Sequence, residues 1–173
     1  MKYKLTDETK EFCGKALHRI VCVTAFASVA VGETGGWVES EDNLSQDGDA
    51  WVYGDARVYG NARVYGDALV SGDALVSGDA WVSGDARVYG DARVYGDALV
   101  MSEKDYIVLK NTWSSGRYFT YTASNGKWSV GCFYGTGEEL VAKAFNDSEL
   151  SGKCYEAAVK FVEELERIKK ENT

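Results

Sequence analysis

Proline is absent from this 173-residue chain, and histidine occurs once, as His18. The chain has 19 glycines, which indicates many tight turns, and the lack of proline means that no turn is held rigid by a proline ring. A single histidine means that one chain cannot assemble a centre that needs several imidazoles, such as a three-histidine zinc site. We therefore expect His18 to be structural, and we assign no catalytic residue, no metal site and no cofactor.

A cationic face is also missing, because 27 acidic residues outnumber 19 basic ones and leave a formal net charge of −8. This balance argues against nucleic-acid polymers and anionic membranes as partners, since both require a positive surface. No stretch approaches the roughly 20 apolar residues of a membrane span, and the first residues lack the apolar run of a signal peptide. We expect a cytoplasmic protein.

The cysteines carry no pairing signal. Cys13, Cys22, Cys132 and Cys154 lie far apart, and none belongs to a CxxC pair. The spacing predicts buried reduced thiols rather than disulfides or metal ligands.

From Ala50 the chain repeats every six residues in the frame Ala-x-Val-(Tyr/Ser)-Gly-(Asp/Asn). Within a unit alanine and valine are two positions apart, so on a strand both point to one face, while Gly-Asp supplies a corner. Three such units close one triangular turn. Residues 50–103 therefore predict three turns with valine and alanine inside.

The repeat resembles the hexapeptide repeat of left-handed parallel β-helices, where an aliphatic residue is followed four positions later by a small one, as Val52 is by Ala56. The resemblance implies a mainly β fold with a three-sided coil. It implies no single activity, because this scaffold hosts acyltransferases, carbonic anhydrases and inert spacers. Its acyltransferases use a histidine on the coil as general base, whereas His18 lies outside the repeat.

Stacking each unit on the unit one turn later places Leu69, Leu75 and Trp81 on the three outer sides of the middle turn, where serine replaces tyrosine. A belt of exposed apolar groups beside small serines predicts a contact between subunits. We expect a homo-oligomer, with a trimer favoured. The alternative is that these residues are neutral variation of the repeat and that no partner binds there.

Residues 1–49 predict a cap that leads into the coil and covers its open end. The segments Gly-Gly-Trp-Val-Glu at 35–39 and Asn-Leu-Ser-Gln at 43–46 resemble a module that precedes hexapeptide coils in phage, prophage and bacterial proteins. The resemblance covers roughly residues 17–103. It implies the fold and a phage origin, hence the host cytosol, and offers no catalytic residues to carry over.

Residues 104–173 predict a small α+β domain, in which a three-stranded meander is covered by two helices. Strand-like segments occupy 106–109, 117–122 and 127–134, and Asn125-Gly126 is a strong hairpin signal. A two-residue turn there would place Arg117 opposite Tyr134.

Two helices follow this meander. The first opens with a capping box formed by Thr136 and Glu139. The second is predicted to begin after Ser151 and to pack on the sheet through residues at helical spacing. These residues are Cys154, Ala158, Phe161, Leu165 and Ile168.

A candidate ligand-binding corner lies where Arg117 and Tyr134 meet the segment Gly135-Thr136-Gly137 at the start of the first helix. Backbone N–H groups at a helix start bind phosphate or carboxylate, and arginine can hold such a group with two hydrogen bonds. Trp113, Tyr118 or Tyr134 could stack on a base. The alternative is that Glu138 or Glu139 already satisfies the helix start or pairs with Arg117.

These observations favour a non-catalytic, oligomeric phage protein that sequesters a small anionic nucleotide, an immune signal of the host. A second hypothesis is a structural or host-protein-binding module in which the coil is a spacer. A third is an enzyme, either an acyltransferase with a substituted base or a phosphodiesterase.

Overall fold

The computed structural model describes residues 1–172 and is mainly β. A β-solenoid of about four turns is followed by a C-terminal region with a four-stranded antiparallel sheet and two helices. The predicted fold class is thereby confirmed. None of the helices in the described part of the chain is long and apolar enough to cross a membrane.

The repeat forms one two-residue strand for each six-residue unit. Strands one turn apart pair in parallel, as Val58 does with Val76 and Val76 with Val94, so three sheets form three sides. The alanine and valine of every unit are at most 1% exposed. The strands are β4 (Trp51–Val52), β5 (Arg57–Val58), β6 (Arg63–Val64), β7 (Leu69–Val70), β8 (Leu75–Val76), β9 (Trp81–Val82), β10 (Arg87–Val88), β11 (Arg93–Val94) and β12 (Leu99–Val100).

Stacked glycines form the corners of the solenoid. Gly72 has φ of +70°, and a Cβ added to it would lie 3.0 Å from the backbone nitrogen of Gly90 in the next turn. A side chain at this corner would therefore be strained in conformation and would press on the neighbouring turn.

The solenoid begins one turn earlier than the repeat predicts. Trp37 and Val38 at the end of β3 (Thr34–Val38) pair in parallel with β5, and Leu44 forms a bridge to Val64. Gly36 stands where later turns have alanine, and a Cβ there would lie 2.6 Å from a Val52 methyl. The first turn therefore lies inside the segment predicted to be the cap, and three turns become about four.

An antiparallel hairpin extends the first side of the solenoid. It consists of β1 (Tyr3–Phe12) and β2 (Lys15–Cys22), and β2 pairs with β3 to give a sheet of order β1-β2-β3-β5-β8-β11. A 3-10 turn at Glu41–Asn43 then leads into the next side.

Side chains from the N-terminal segment pair with the backbone of the early turns. The Lys2 ammonium donates to the carbonyls of Gly48 at 3.2 Å and Ala50 at 2.8 Å, and the Tyr3 hydroxyl donates to the Leu44 carbonyl at 2.6 Å. Burial lowers the pKa of Lys2 and raises that of Tyr3. These hydrogen bonds satisfy backbone carbonyls that would otherwise pair with the N–H groups of a preceding solenoid turn.

The C-terminal sheet runs in the order β13-β14-β15-β16. Its last two strands replace the single segment predicted at 127–134, because Gly131, with φ of +57°, turns the chain back on itself after Val130. The strands are β13 (Tyr106–Lys110), which follows a 3-10 turn at Glu103–Asp105, β14 (Tyr118–Thr122), β15 (Lys127–Val130) and β16 (Phe133–Gly135).

The predicted hairpin register is wrong by two residues. Phe119 pairs with Val130 and Tyr121 with Trp128, because the loop spans four residues, 123–126, rather than the two of Asn125-Gly126. A shift of two leaves unchanged which side chains of β14 and β15 share a face. It removes the predicted pairing of Arg117 with Tyr134.

The polar face of this sheet covers the end of the solenoid. Thr120 Oγ1 accepts a hydrogen bond from the Arg93 N–H at 2.9 Å, and Ser129 Oγ donates to the Arg93 carbonyl at 2.8 Å. In the loop after β14, Ser124 Oγ accepts from the Leu99 N–H at 2.8 Å. Side-chain hydroxyl groups thus form the hydrogen bonds that the backbone of a further solenoid turn would otherwise form with the last turn.

The aromatic face packs on α1 (Gly137–Asp147) and α2 (Glu149–Glu171). The capping box of Thr136 with Glu139 is confirmed. Ser148 caps α2, so this helix begins earlier than predicted.

The face of α2 predicted to be packed is packed only in part: Ala158 lies against the buried cluster, and Cys154 and Leu165 are half-buried. Tyr155, Val159 and Val162 are buried against the sheet and α1, whereas Phe161 is 53% and Ile168 44% exposed. The predicted stripe lies about one residue, or 100°, round the helix from the buried one.

The predicted burial of the cysteines is confirmed only in part. Cys22 is buried and Cys154 is half-buried, but Cys13 and Cys132 are exposed, and all four are free. Cys13 and Cys132 lie in hairpin turns, which are outside the hydrophobic core.

The hydroxyl cap on Arg93 predicts that Thr120→Val destabilises the protein. The substitution keeps the shape of a side chain that is 0% exposed but leaves the Arg93 N–H without an acceptor, which costs about 1–3 kcal/mol. Urea unfolding should show this loss, and Thr9→Val on the exposed part of β1 is the matched control. Equal stabilities for the two variants would contradict the role of the hydroxyl.

Tyr106 predicts a loss of stability at alkaline pH. Its hydroxyl donates to the Arg87 carbonyl at 2.8 Å, and burial, with the nearby Tyr89, raises its pKa to about 12. A folded pKa above the unfolded value of about 10 gives stability that is complete below pH 10 and is lost as pH rises towards 12.

Tyr106→Phe should therefore cost about 1 kcal/mol at pH 7, and this difference from the wild type should shrink between pH 10 and 12. Urea unfolding at a series of pH values measures it, with Tyr118→Phe as the control. A constant difference across that range would show that Tyr106 does not contribute to the alkaline loss.

Candidate functional site

The C-terminal region encloses a cavity of about 490 Å³, here called the sheet–helix cavity. It lies between the loop before β14, the β15–β16 hairpin and the two helices. Its wall combines charged, polar and apolar side chains. The charged ones are Arg117, Lys143 and Asp147, the polar ones include Asn111, Ser114, Ser151 and Tyr155, and the apolar ones include Val130, Phe133, Leu140 and Ala144.

Asn111 holds the polar side of the cavity in place. It is 2% exposed, and its Nδ2 donates to the Tyr155 hydroxyl at 3.1 Å and to Ser114 Oγ at 2.9 Å. Its Oδ1 accepts from the Ser114 N–H at 2.9 Å, and its own N–H donates to the Arg117 carbonyl at 2.8 Å. The loop is thus fixed by a buried amide whose partners come from the loop itself and from α2.

The charged groups of the cavity are exposed and give it a net positive charge. Arg117 packs over the turn at Gly131, where an added Cβ would lie 3.0 Å from a guanidinium nitrogen. Lys143 and Asp147 lie one turn apart on α1. Two cations against one carboxylate suit an anionic ligand, and the polar side offers hydroxyl and amide groups for orientation.

The start of α1 is occupied by the chain itself. The Glu139 carboxylate accepts from the Thr136 N–H at 2.7 Å, and this hydrogen bond lowers the pKa of Glu139. A Cβ on Gly135 would lie 2.5 Å from that carboxylate, and one on Gly137 would lie 2.6 Å from a Val159 methyl. The Glu139 carboxylate thus binds a donor of the predicted anion site at Gly135-Thr136-Gly137, as the alternative interpretation expected, and Gly137 packs against α2. Binding of a ligand at this helix start stays a prediction.

Two of the predicted stacking residues lie elsewhere. The Trp113 ring makes edge contacts with Phe119 and Tyr155, at centroid distances of 6.0 and 5.1 Å, so it belongs to the core of the region. Tyr118 lines a different cavity, with Tyr89 among its walls. Neither meets Arg117 in the sheet–helix cavity.

Tyr134 does line this cavity together with Arg117, although the two are not paired in the sheet. Its hydroxyl donates to the Asp97 carboxylate at 3.3 Å and accepts from Asn125 Nδ2 at 3.0 Å. Partial burial, followed by the nearby Asp97, raises the pKa of Tyr134. The hydroxyl therefore ties the sheet to the last corner of the solenoid, and its binding of a ligand stays a prediction.

The apolar belt predicted on the solenoid is not uniform. Trp81 is 47% exposed, but Leu75 is 4% exposed and Leu69 is half-buried. The exposure that the prediction assumed is wrong for Leu75, and the role of the belt as an interface stays a prediction.

His18 lies on β2, where its Nδ1 is 3.3 Å from the Thr6 carbonyl. This position is outside the nine repeat strands, as the sequence indicated. Among residues 1–172, no three histidine, cysteine or acidic side chains are grouped so that they could hold a metal ion.

Sequence reasoning missed Lys143, Asp147, Asn111 and Tyr155. The two α1 residues offered a weak signal, since each follows a buried helix position, Leu140 or Ala144, by three residues. Asn111 and Tyr155 are 44 residues apart in the chain, and nothing local indicates that they meet.

Comparison with known proteins finds similarity in the repeat region. A family model described as the YdcK beta solenoid repeat matches residues 50–66, 56–71, 62–78, 68–84 and 86–101. These matches agree with the hexapeptide-repeat-like solenoid.

A curated relative is the protein named "Uncharacterized acetyltransferase YdcK" of Escherichia coli (strain K12). It is 32% identical over 60 residues, which cover 30% of this chain. The chain spans about a fifth of that relative, with 18% of its length matched.

Proposed function

We propose that this chain is a non-catalytic binding protein whose sheet–helix cavity holds a small anionic ligand, and that the ligand is a nucleotide. The observation that carries the proposal is the lining of this cavity. Arg117 and Lys143 bring two cations to one opening, beside hydroxyl and amide groups and the aromatic residue Phe133.

A nucleotide needs these three kinds of group together. Phosphate oxygens accept hydrogen bonds from arginine and lysine, ribose and base edges bond to hydroxyls and amides, and a base stacks on an aromatic ring. A volume of about 490 Å³ falls within the usual range for small-molecule sites, roughly 300–1,000 Å³.

The non-catalytic part of the proposal rests on the position of His18. Acyltransferases that resemble this solenoid use a histidine on the coil, whereas His18 belongs to the N-terminal hairpin and faces a backbone carbonyl. The residues that line the cavity include no histidine, the side chain that most often serves as general base.

The narrower identity is a phage protein that sequesters a nucleotide immune signal in the cytosol of its host. This part of the proposal rests on the resemblance of the N-terminal segment to phage and prophage coil modules, together with the ligand chemistry above. A ligand held without turnover is what such a role requires.

Calorimetric titration of the full chain with cyclic nucleotides and ADP-ribose-type nucleotides tests the proposal. We expect one class to bind, and Arg117→Ala and Lys143→Ala each to weaken binding about 10-fold or more, the effect of losing one charge-assisted hydrogen bond. Both side chains are exposed, so thermal melts should be unchanged. Arg87→Ala, at an exposed arginine of the solenoid, is the matched control and should leave the affinity unchanged.

Recovery of the nucleotide after incubation separates binding from catalysis. An intact nucleotide supports the proposal, and conversion to a product overturns its non-catalytic part. No binding across the panel, or binding that neither cavity variant weakens, overturns the assignment of the ligand or of the cavity.

Acyl transfer is the second candidate, because the curated relative is named as an acetyltransferase. Incubation with acetyl-CoA and a panel of amine and hydroxyl acceptors tests it. Release of free CoA that depends on the protein and disappears in His18→Ala would favour this candidate over sequestration.

A further inference from the structure

Another cavity, here called the tyrosine cavity, lies where the C-terminal sheet meets the last turn of the solenoid. Its volume is about 350 Å³, at the small end of the usual range for small-molecule sites. Aromatic and acidic side chains dominate its wall. The lining includes Tyr89 and Asp91 from the solenoid, Glu103 from the 3-10 turn, and Tyr106, Val108 and Tyr118 from the sheet.

The alternation of side chains along the strands brings the sheet residues of this cavity to one face. Tyr106 and Val108 are two positions apart on β13, and Tyr118 pairs with Lys110, two positions further on. Val108 pairs with Thr120, whose hydroxyl bonds to the solenoid. All of these side chains therefore point to the face that covers the solenoid. The sheet thus carries two tyrosine rings to the edge of the last turn.

Two rings form nearly perpendicular walls of the cavity. The ring centroids of Tyr89 and Tyr106 are 6.4 Å apart, and the ring planes meet at 75°. Tyr106 is held in place, because it is buried and its hydroxyl donates to the Arg87 carbonyl at 2.8 Å. Tyr89 is 55% exposed. The faces of such rings carry negative electrostatic potential, so an open pair of walls attracts a cation.

The carboxylates of the wall add full negative charge. Asp91 and Glu103 are exposed, and within residues 1–172 neither side chain has an ion pair or a hydrogen bond. Among the described residues that line this cavity there is no arginine or lysine, in contrast to the sheet–helix cavity. Ring faces and unpaired carboxylates at one opening favour an organic cation as the ligand.

One cation of the chain lies near the cavity. The Lys110 ammonium is 5.3 Å from the centroid of the Tyr118 ring, because the two residues are opposite each other on β13 and β14. Lys110 is exposed and is not part of the lining. Further cations on the surrounding elements are Arg87, Lys104 and Lys169, and they do not line the cavity either. Lys110 therefore competes for one ring and leaves the perpendicular pair to a ligand.

We propose that the tyrosine cavity binds a quaternary ammonium group, with Tyr89 and Tyr106 as the walls of an aromatic cage and Asp91 and Glu103 supplying negative charge. A quaternary ammonium has no N–H to donate, so ring faces and charge are sufficient to hold it. A primary ammonium carries three donors and is strongly hydrated, so it loses more on leaving water for ring faces. The proposal is independent of the anionic ligand proposed above, since no residue lines both cavities.

Calorimetric titration of the full chain with choline at constant ionic strength tests the proposal. We expect choline to bind about 10-fold or more tighter than its neutral carbon isostere, dimethylbutanol, and tighter than ethanolamine, which is a primary ammonium. Equal affinity for choline and the neutral isostere overturns the role of charge. Equal affinity for choline and ethanolamine overturns the cage, because pairing with a carboxylate would then explain the binding.

Substitution of Tyr89 tests the aromatic wall. Tyr89→Leu should weaken choline binding about 5-fold or more, whereas Tyr89→Phe should retain it, because phenylalanine keeps the ring. Trp81→Leu is the matched control, since Trp81 is a similarly exposed aromatic residue of the solenoid, at 47%, and it should leave the affinity unchanged. Thermal melts establish that the variants are folded. An unchanged affinity in Tyr89→Leu overturns the assignment of the cavity.

Asp91→Asn and Lys110→Gln test the charge of the site in opposite directions. Asp91→Asn should weaken choline binding about 3-fold, and Lys110→Gln should strengthen it by a similar factor, as expected for exposed charges. Asp85→Asn, at the same corner position one repeat unit earlier, is the control and should have no effect. Changes in the same direction for Asp91→Asn and Lys110→Gln, or no change in either, overturn the electrostatic part of the proposal.

A short peptide that carries trimethyl-lysine distinguishes the source of the ammonium group. Equal affinity for this peptide and for choline supports a free small cation as the ligand, and tighter binding of the peptide supports a modified protein. The same peptide with unmodified lysine is the control and should bind more weakly. Absence of binding by choline and by the trimethyl-lysine peptide alike overturns the proposal, whatever the outcome of the nucleotide titrations.

Discussion

The structure depends on how the two ends of the solenoid satisfy their backbone. Inside the solenoid each turn pairs with the turns on either side, but the first and last turns face nothing of their own kind. Unpaired N–H and C=O groups cost free energy when buried and attract other strands when exposed. The chain meets both problems with side chains: Lys2 and Tyr3 donate to carbonyls at one end, and Thr120 and Ser129 pair with Arg93 at the other.

This solution determines the character of the C-terminal sheet. In an isolated antiparallel sheet the face rich in threonine and serine would be the solvent face. Here Thr120 and Ser129 are almost fully buried, because their hydroxyl groups bond to the last turn. The aromatic face is left for the helices, and the sheet–helix cavity forms where the loop before β14 and the β15–β16 hairpin stand apart from α1. The solenoid thereby fixes which side of the sheet can present a site.

The sequence predicted the parts of the fold in which a local pattern decides the outcome. Alanine and valine two positions apart lie on one face of every repeat strand, and a coil buries them together. Thr136 with Glu139 can begin a helix without outside help. It failed where the outcome depends on partners distant in the chain. The first turn escaped notice because the interval from Val38 to its partner Val58 is longer than the regular interval between stacked units of the repeat. The hairpin register failed because the loop spans residues 123–126 rather than Asn125-Gly126 alone. The segment predicted at 127–134 failed as a single strand because Gly131 turns the chain, and a glycine in a strand pattern does not say whether the strand bends or continues.

The candidate site was harder to predict than the fold for the same physical reason. Arg117 was identified by its chemistry, but its neighbours in the cavity come from α1 and α2, and the partner assigned to it from the hairpin register was wrong. The two stripes of α2 illustrate the limit. Both have helical spacing and apolar side chains, so periodicity alone cannot tell which one the sheet covers. The choice follows from packing, since a Cβ on Gly137 would touch Val159 and the hydroxyl of Tyr155 reaches Asn111. These contacts turn one stripe inward and leave Phe161 and Ile168 of the other exposed.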